Sequence, residues 1–350
     1  MVNLSARCAA ILIGVVAAAV YANTLWNGFA LDDVHIIAEN ERVHGIERLG
    51  DALLSPYWPN SPPRMALYRP LTTDMYAVEW DRWNASPVGY HAVNVILHTA
   101  VAVLVLLLLL RLGASLGAAL AGSAVFAVHP VHVEAVANVV GRAELVATLC
   151  YLLAVLIFLR SDSRSWPRAL GIGAAYLLGL GAKEMAVTLP ATLFFITVAW
   201  GEKGGDRMQS MVREWRVALT TSIALASYVA LRWHVTGEPI GNDVAATLSA
   251  QTTGERLLTV LRIWPEYVRL LFFPVDLVAD YSPGVLVPPT RFDATVLSGM
   301  LLGISVAVGA AIAWRRVPMI MLGVVWFAVT IFPVSNLFVP VGILLAERTL

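Results

Sequence analysis

Two adjacent carboxylates, Asp32 and Asp33, follow the first apolar stretch of the chain and precede a long polar and aromatic segment. A carboxylate beside a membrane span is costly unless it faces water, a partner or a substrate. Either side chain, when ionised, could take a proton from a hydroxyl group as a general base. Because neighbours in sequence cannot face the same point, we expect one acid to react and the other to pair with a cation. Two solvated loop acids, or a helix cap, are the alternative interpretation.

The composition places these acids in a membrane protein. Of the 350 residues, 58% are hydrophobic and only 14% are charged, whereas soluble domains carry about 25% charged residues. The formal net charge is zero, which argues against nucleic acid as a partner. We therefore predict an all-α polytopic membrane protein. Its apolar stretches lie near residues 7–25, 91–111, 114–129, 143–160, 169–182, 185–200, 217–233, 293–314 and 317–333.

Basic residues in the short loops predict the orientation. Arg111, Arg160 and Arg213 fall on one side if the nine spans alternate, and the positive-inside rule makes that side cytoplasmic. A first outer loop, about 26–90, and a second outer region, about 234–292, then lie on the opposite side. We expect these outer segments to carry helices that lie along the membrane surface, over 43–54, 71–83 and 257–274.

Further ionisable side chains gather on the predicted outer side. Membrane helices rarely carry so many without a water-filled cavity, so we expect one outward-facing cleft. Besides the two aspartates, the residues that we expect to line it are Arg69, His129, His132, Glu134, Arg142, Lys183 and Arg348.

Some of these residues allow more than one interpretation. His129, His132 and Glu134 are metal-binding types, but Pro130 breaks the helical register that a motif such as H-E-x-x-H requires. We assign no metal ligands and favour a polar network in the cleft. On a continuous helix, Glu134 and Arg142 would share a face, and Glu134 would orient Arg142 toward a phosphate. A plain polar stripe is the alternative there, and contact with lipid headgroups is the alternative for Lys183.

This set of residues suits the transfer of a sugar from a lipid phosphate. A phosphate leaves readily, so the charge that develops on it needs cations rather than an acid. A single displacement with one aspartate as base would invert the anomeric centre. Arg142, Lys183 and Arg348 are then candidate ligands of the donor phosphate, and a divalent cation stays open as a cofactor.

Short motifs follow one another from residue 26 to 350. They are Asp32-Asp33, Tyr68-Arg69-Pro70-Leu71, His91–His98, Phe126–Val136, Gly141-Arg142-Ala143-Glu144, Ala182-Lys183-Glu184, Leu271–Pro274, Asp280-Tyr281-Ser282, Pro333–Phe338 and Ala346-Glu347-Arg348. In order and spacing they resemble the GT-C membrane glycosyltransferases, and most closely the membrane part of the transmembrane-and-tetratricopeptide-repeat O-mannosyltransferases and their bacterial relatives.

The resemblance implies a GT-C-type helical bundle over residues 1–350, with interfacial helices in a long first outer loop. It implies inverting transfer of a sugar, typically mannose, from a polyprenyl (dolichyl) phosphate donor to Ser or Thr of a protein on the non-cytoplasmic side. The base would be Asp33 or Asp32, with Asp33 preferred.

The chain also departs from the family, because the tetratricopeptide repeats are missing from these 350 residues. We therefore expect a chain that is incomplete at its C-terminal end. Abundant Ala, Leu and Val favour a bacterial inner membrane, and the endoplasmic reticulum would replace it in a eukaryote.

Two other functional classes stay open. A transporter or lipid flippase is expected to carry charge near the bilayer midplane and to have repeated halves. Here the charges gather at one predicted surface and the sequence has no evident repeat. A non-catalytic membrane scaffold would make the two aspartates dispensable.

Overall fold

The computed structural model describes residues 4–59, 67–160, 165–200, 212–239, 251–278, 281, 289, 291–313, 318–336 and 344–349. Asp280, Ser282 and the Leu337-Phe338 end of another motif lie outside these ranges. The α-helices are α1 (Leu4–Tyr21), α2 (Pro70–Trp83), α3 (Pro87–Arg111), α4 (Leu116–Val128), α5 (Val133–Val136), α6 (Arg142–Arg160), α7 (Trp166–Ala182), α8 (Leu189–Trp200), α9 (Trp215–Thr236), α10 (Thr253–Phe272), α11 (Ala294–Ala313) and α12 (Pro318–Ile331).

The protein is an all-α polytopic membrane protein, as predicted. Within the described ranges, four segments are long and apolar enough to cross a bilayer by length and composition: Leu4–Trp26, Pro87–Arg111, Val139–Arg160 and Ala294–Ala313. A fifth would be Leu116–Val128 with Pro130–Val136, which are bent by 46°. Every predicted span coincides with a helix, but α7, α8 and α12 have only 17, 12 and 14 residues. The nine crossings therefore stay a prediction.

The chain divides into two compact units, Met1–Pro190 with Met208–Ile240, and Ala191–Arg207 with Gly241–Leu350. In the first unit, α1 packs on α3 and α4 through a buried stripe of Ala9, Ile13 and Ala17. Such small residues let apolar helices approach closely. Further along the chain, α6 packs on α3 and α7, and α7 packs on α9.

Alternating helix directions bring several helix ends together in the first unit. The Tyr21 hydroxyl at the end of α1 donates to the His129 carbonyl beyond α4. The Thr72 hydroxyl in α2 donates to the Ala182 carbonyl at the end of α7. The ends of α1, α4 and α7 thus lie with the starts of α3 and α6, and α2 contacts this end of the bundle.

The first outer loop contains one of its two predicted helices. The helix expected over 71–83 is present as α2, which begins with Pro70 at its first position. Its position along the membrane surface stays a prediction. The expectation over 43–54 is wrong, because the chain there forms the 3₁₀ turns Glu41–Val43, Ile46–Arg48 and Asp51–Leu54. Gly45 and Gly50, with φ values of 130° and 90°, separate these turns, since left-handed backbone interrupts a helix.

The second unit contains the helix that was predicted over 257–274. Helix α10 starts with a capping box between Thr252 and Glu255. Its buried face contains Ile263, Tyr267 and Leu270. Helix α11 approaches so closely that a Cβ atom on Gly299 would lie 1.7 Å from the Leu261 carbonyl oxygen. The position of α10 along the membrane surface stays a prediction.

Candidate active site

The two aspartates lie between the end of α1 and a single π-helical turn over Val34–Ala38. The preceding residue, Leu31, has a φ of 49°. Left-handed backbone costs a non-glycine residue about 1–2 kcal/mol. Such strain persists only where the surrounding contacts fix the chain, and it concentrates at functional sites. The backbone that presents the acid pair is therefore held by its contacts.

Asp33 provides the strongest of these contacts. Its side chain is buried, with 1% exposed. One carboxylate oxygen accepts a hydrogen bond from Val140 N at 2.8 Å, and the other accepts from Ala30 N at 3.2 Å and Val139 N at 3.3 Å. Burial raises the pKa of Asp33, although the three backbone donors act in the opposite direction. Asp33 ties its loop to the turn before α6, whereas Asp32 is partly exposed.

Two buried tyrosines connect the acid pair with the basic residues. The Tyr76 hydroxyl donates to the carbonyl of Val139, at 3.5 Å, in the turn that holds Asp33. Burial raises the pKa of Tyr57 to about 12, and the charges of Arg69, Glu144 and Asp32 also act on it. The Arg69 guanidinium lies 5.2 Å from the centre of the Tyr57 ring. The Tyr57 ring therefore lies beside the Arg69 guanidinium.

Arg69 belongs to a cluster in which, among the described residues, cations outnumber carboxylates. Its Nη2 and Nε atoms donate to Glu184 Oε2 at 3.1 and 3.2 Å, and Arg232 Nη1 lies 3.5 Å from Glu184 Oε1. Although burial opposes ionisation, Arg69 and Arg232 lower the pKa of Glu184. Two guanidinium groups thus share one carboxylate. Beside them, Lys183 pairs with Glu144.

Arg142 pairs with Glu79 rather than with Glu134, which corrects the predicted pairing. Glu134 lies in the short α5, and Arg142 begins α6 after a non-α-helical turn. The helical face that the spacing predicted is therefore interrupted. The turn can leave the α-helix because the Asn94 side chain donates to its carbonyls. Arg142 itself has 0% of its surface exposed.

The histidine segment packs against aromatic residues. The His132 ring centre lies 4.4 Å from that of Phe126 and 5.6 Å from that of His98. His129 Nδ1 accepts a hydrogen bond from Val131 N at 3.3 Å and so caps a 3₁₀ turn. In the part of the chain that the structure describes, no three His, Cys, Asp or Glu side chains are placed to hold a metal ion together. These residues therefore provide no site for the divalent cation that the sequence left open as a cofactor.

Arg348 belongs to the second unit, whereas the other candidate residues belong to the first. Its neighbour Glu347 is buried, and the Glu347 carboxylate accepts hydrogen bonds from Tyr281 Oη at 2.6 Å and Val278 N at 2.7 Å. These contacts fix the chain next to Arg348. Its role toward a donor phosphate stays a prediction.

The sequence reasoning missed four residues of this site: Tyr57, Tyr76, Glu79 and Arg232. Arg232 did carry a signal, because an arginine within an apolar helix needs a partner or a cavity. Glu79 could not be distinguished by sequence from the other acidic residues of α2, because only its ion pair with Arg142 sets it apart. The tyrosines could not be distinguished from the other aromatic residues of the loop.

Fold and site together define a polytopic membrane protein with a buried charge network at one end of a helical bundle. Over most of its length the chain resembles the protein O-mannosyl-transferases of the TMTC type. It is 30% identical to Protein O-mannosyl-transferase Tmtc3 of Drosophila melanogaster, over 94% of this chain and 43% of that protein.

Two human proteins show the same similarity. Identity is 28% with TMTC3, over 100% of this chain and 41% of that protein, and 26% with TMTC4, over 98% and 53%. The chain thus spans roughly half, or less, of these relatives. No family model and no solved structure matches the chain.

Proposed function

We propose that this chain forms the transfer domain of a GT-C-type protein O-mannosyltransferase. It would move mannose from a polyprenyl (dolichyl) phosphate to a Ser or Thr hydroxyl of an acceptor protein. The observation that carries this proposal is the polarity of the site. An acid pair lies at one end, and the cluster around Glu184 lies at the other. Helix α2 connects them, because Arg69 directly precedes it and its Tyr76 hydroxyl donates to the Val139 carbonyl in the turn that holds Asp33. The names of the relatives support mannose as the sugar.

Asp32 is the general base in this proposal, which reverses the preference for Asp33. Three backbone N–H groups occupy the Asp33 carboxylate, and 1% of the residue is exposed. An acceptor hydroxyl needs an approach to the base within hydrogen-bond distance. Asp32 is partly exposed and is held in place through its neighbour. Asp33 then serves as a positioning residue.

Arg69 receives the donor phosphate, and the more buried Arg232 and Lys183 lie beside it. Arg69 and Arg232 both face the Glu184 carboxylate, and guanidinium groups bind phosphate through charge-assisted hydrogen bonds. Arg69 and Glu184 keep 15% and 31% of their side-chain surface exposed, so a ligand can reach them. The positive charge would stabilise the negative charge that grows on the leaving phosphate.

The reaction is a single displacement. The acceptor oxygen forms a bond to C1 of the sugar while the bond between C1 and the phosphate oxygen breaks. The hydroxyl proton passes to the Asp32 carboxylate, and the electron pair of the broken bond stays on the phosphate. Attack from the opposite face inverts the anomeric centre.

The site would face the non-cytoplasmic side of the membrane. The loops with Arg111 and Arg160 leave the bundle at the end opposite the acid pair, since α3 and α6 start at the site and end in those residues. Basic residues favour the cytoplasmic side. The membrane would be the endoplasmic reticulum in a eukaryote and the inner membrane in a bacterium.

Purified protein in detergent tests the proposal. It is incubated with a synthetic peptide rich in Ser and Thr and with either polyprenyl-phosphate mannose or GDP-mannose. We expect mass spectrometry to detect one added hexose with the lipid-linked donor alone. Failure to modify the peptide and to hydrolyse the lipid-linked donor above a heat-inactivated sample would contradict it, as would transfer from GDP-mannose.

A further inference from the structure

We infer that Arg142, together with Asn94 and Glu79, is a positioning group that fixes the turn over residues 136–141 and thereby the acid pair. This inference rests on the proposed function only for the consequence that it has for turnover. We call this set of contacts the latch. It consists of that turn with Glu79, Arg142, Asn94 and Asp33, and it lies within the protein.

The first step of the latch is the environment of Arg142. Its Nε atom donates to Asn94 Oδ1 at 3.0 Å, Nη2 donates to the Tyr90 carbonyl at 2.9 Å, and Nη1 pairs with Glu79. The guanidinium also lies 5.0 Å from the centre of the Tyr76 ring. Nε and Nη2 of this buried cation therefore have hydrogen-bond acceptors, and Nη1 has the Glu79 carboxylate as its ion-pair partner. A buried cation requires such partners, because desolvation costs several kcal/mol.

The second step is Asn94. With its oxygen held by Arg142, the amide nitrogen is directed at the turn and donates to the carbonyls of Val136 at 3.3 Å, Asn138 at 3.0 Å and Val139 at 3.2 Å. These bonds occupy carbonyls that a continuous helix would use itself. They hold the peptide groups after Val136, Asn138 and Val139 from one side of the turn.

The third step is the other side of the same turn. The N–H groups of Val139 and Val140 donate to Asp33. Asp33 also accepts from Ala30 N, so both ends of the short segment that contains Asp32 are fixed. A shift of Asn94 by a fraction of an ångström would pass through the turn to the base. Small displacements of a reacting group can lower turnover about a hundredfold.

This arrangement replaces the predicted role of Arg142 as a phosphate ligand. A phosphate would have to reach a guanidinium with 0% exposure and displace Glu79. Arg69, by contrast, is partly exposed and belongs to the cluster around Glu184. Arg142 and the cluster around Glu184 thus have different tasks within one unit of the fold.

Two variants separate the interpretations. Arg142→Lys keeps the charge but loses the planar fork that bonds Asn94 and Tyr90. Asn94→Asp keeps the shape and the acceptor for Arg142 but removes the donor to the three carbonyls. The matched control is Arg168→Lys. Arg168 is also a buried arginine, paired with Glu214 at 2.7 Å and stacked over Phe158 at 4.5 Å, at the opposite end of the helices.

Hydrogen–deuterium exchange of the peptide that covers residues 136–141 is the first measurement. We expect exchange to be about tenfold faster or more in both latch variants, since each loses at least one hydrogen bond, and to be unchanged in Arg168→Lys. The second measurement is steady-state transfer from polyprenyl-phosphate mannose. We expect kcat to fall about tenfold or more, with the donor KM within about twofold of wild type.

Each result has a defined meaning. Unchanged exchange in Asn94→Asp would overturn the latch, and this readout holds even if the wild type transfers no sugar. Faster exchange with normal kcat would overturn the positioning role. A large rise in donor KM for Arg142→Lys, with exchange unchanged, would restore the phosphate-ligand interpretation. If Arg142→Lys does not fold, Asn94→Asp alone decides between the first two results.

Discussion

Asp32 and Asp33 are neighbours in sequence and have different surroundings. The sequence predicts that only one of them can face a given point, because adjacent side chains diverge. It could not predict which, since the donors to Asp33 include Val139 and Val140, 106 and 107 positions away. The cations show the same limit. The sequence predicted which basic residues lie on the outer side of the membrane. It could not predict the partner of each, because that depends on contacts across the fold.

Glu184 gives a prediction about pH at the residue scale. Arg69 and Arg232 lower its pKa, so this contribution to stability is present above the ordinary value near 4.5 and is lost as the pH falls through the lowered value. We expect the apparent Tm in detergent to fall less between pH 5 and pH 3 in Glu184→Gln than in wild type. An equally steep fall in both proteins would contradict the assignment.

Arg232 gives a prediction about donor binding. Arg232→Gln removes a positive charge from the cluster around Glu184, so we expect the KM for polyprenyl-phosphate mannose to rise about tenfold. Arg213→Gln is the control, because Arg213 is an exposed arginine before α9. Equal donor KM values in the two variants would show that Arg232 does not contribute to donor binding.

At the scale of elements, apolar periodicity and length placed the helices well. Each predicted span coincides with a helix, since an apolar stretch must satisfy its own backbone hydrogen bonds in lipid. The break between α5 and α6 was not predictable, because its carbonyls are bonded by a side chain of α3. The turns over 43–54 could not be read from apolar spacing alone, although Gly45 and Gly50 signalled a break.

Gly141 provides a prediction about the turn between α5 and α6. A Cβ atom there would lie 2.5 Å from the Ala135 carbonyl oxygen and 2.7 Å from that of Glu134. Because backbone atoms must move, we expect Gly141→Ala to lower the apparent Tm and to reduce kcat at least about tenfold. Gly117→Ala in α4 meets nothing within 4 Å and should retain both. Normal turnover of Gly141→Ala would contradict a role for this turn.

At the scale of the whole molecule, composition established a polytopic membrane protein, and ordered motifs established the resemblance to O-mannosyl-transferases. The number of crossings does not follow from apolar length alone, because short apolar helices can end within a bilayer or tilt. Orientation depends on a few basic residues in short loops.

Cysteine labelling tests that orientation. In a background that lacks Cys8, Glu41→Cys lies in the first outer loop and Arg111→Cys lies at the far end of α3, and both positions are exposed. We expect a membrane-impermeant maleimide to label Glu41→Cys in vesicles whose non-cytoplasmic face is outside, and Arg111→Cys only after the membrane is permeabilised. The reverse pattern would place the acid pair in the cytoplasm.

Single-turnover transfer from polyprenyl-phosphate mannose at saturating donor, compared between Asp32→Asn and Asp33→Asn, shows whether Asp32 is the general base. We predict that Asp32→Asn loses transfer by about 10³-fold or more while it binds the donor and unfolds like wild type. Asp33→Asn should lose stability as well, because the neutral side chain replaces a carboxylate that accepts three backbone hydrogen bonds. Transfer by Asp32→Asn at the wild-type rate would contradict the account.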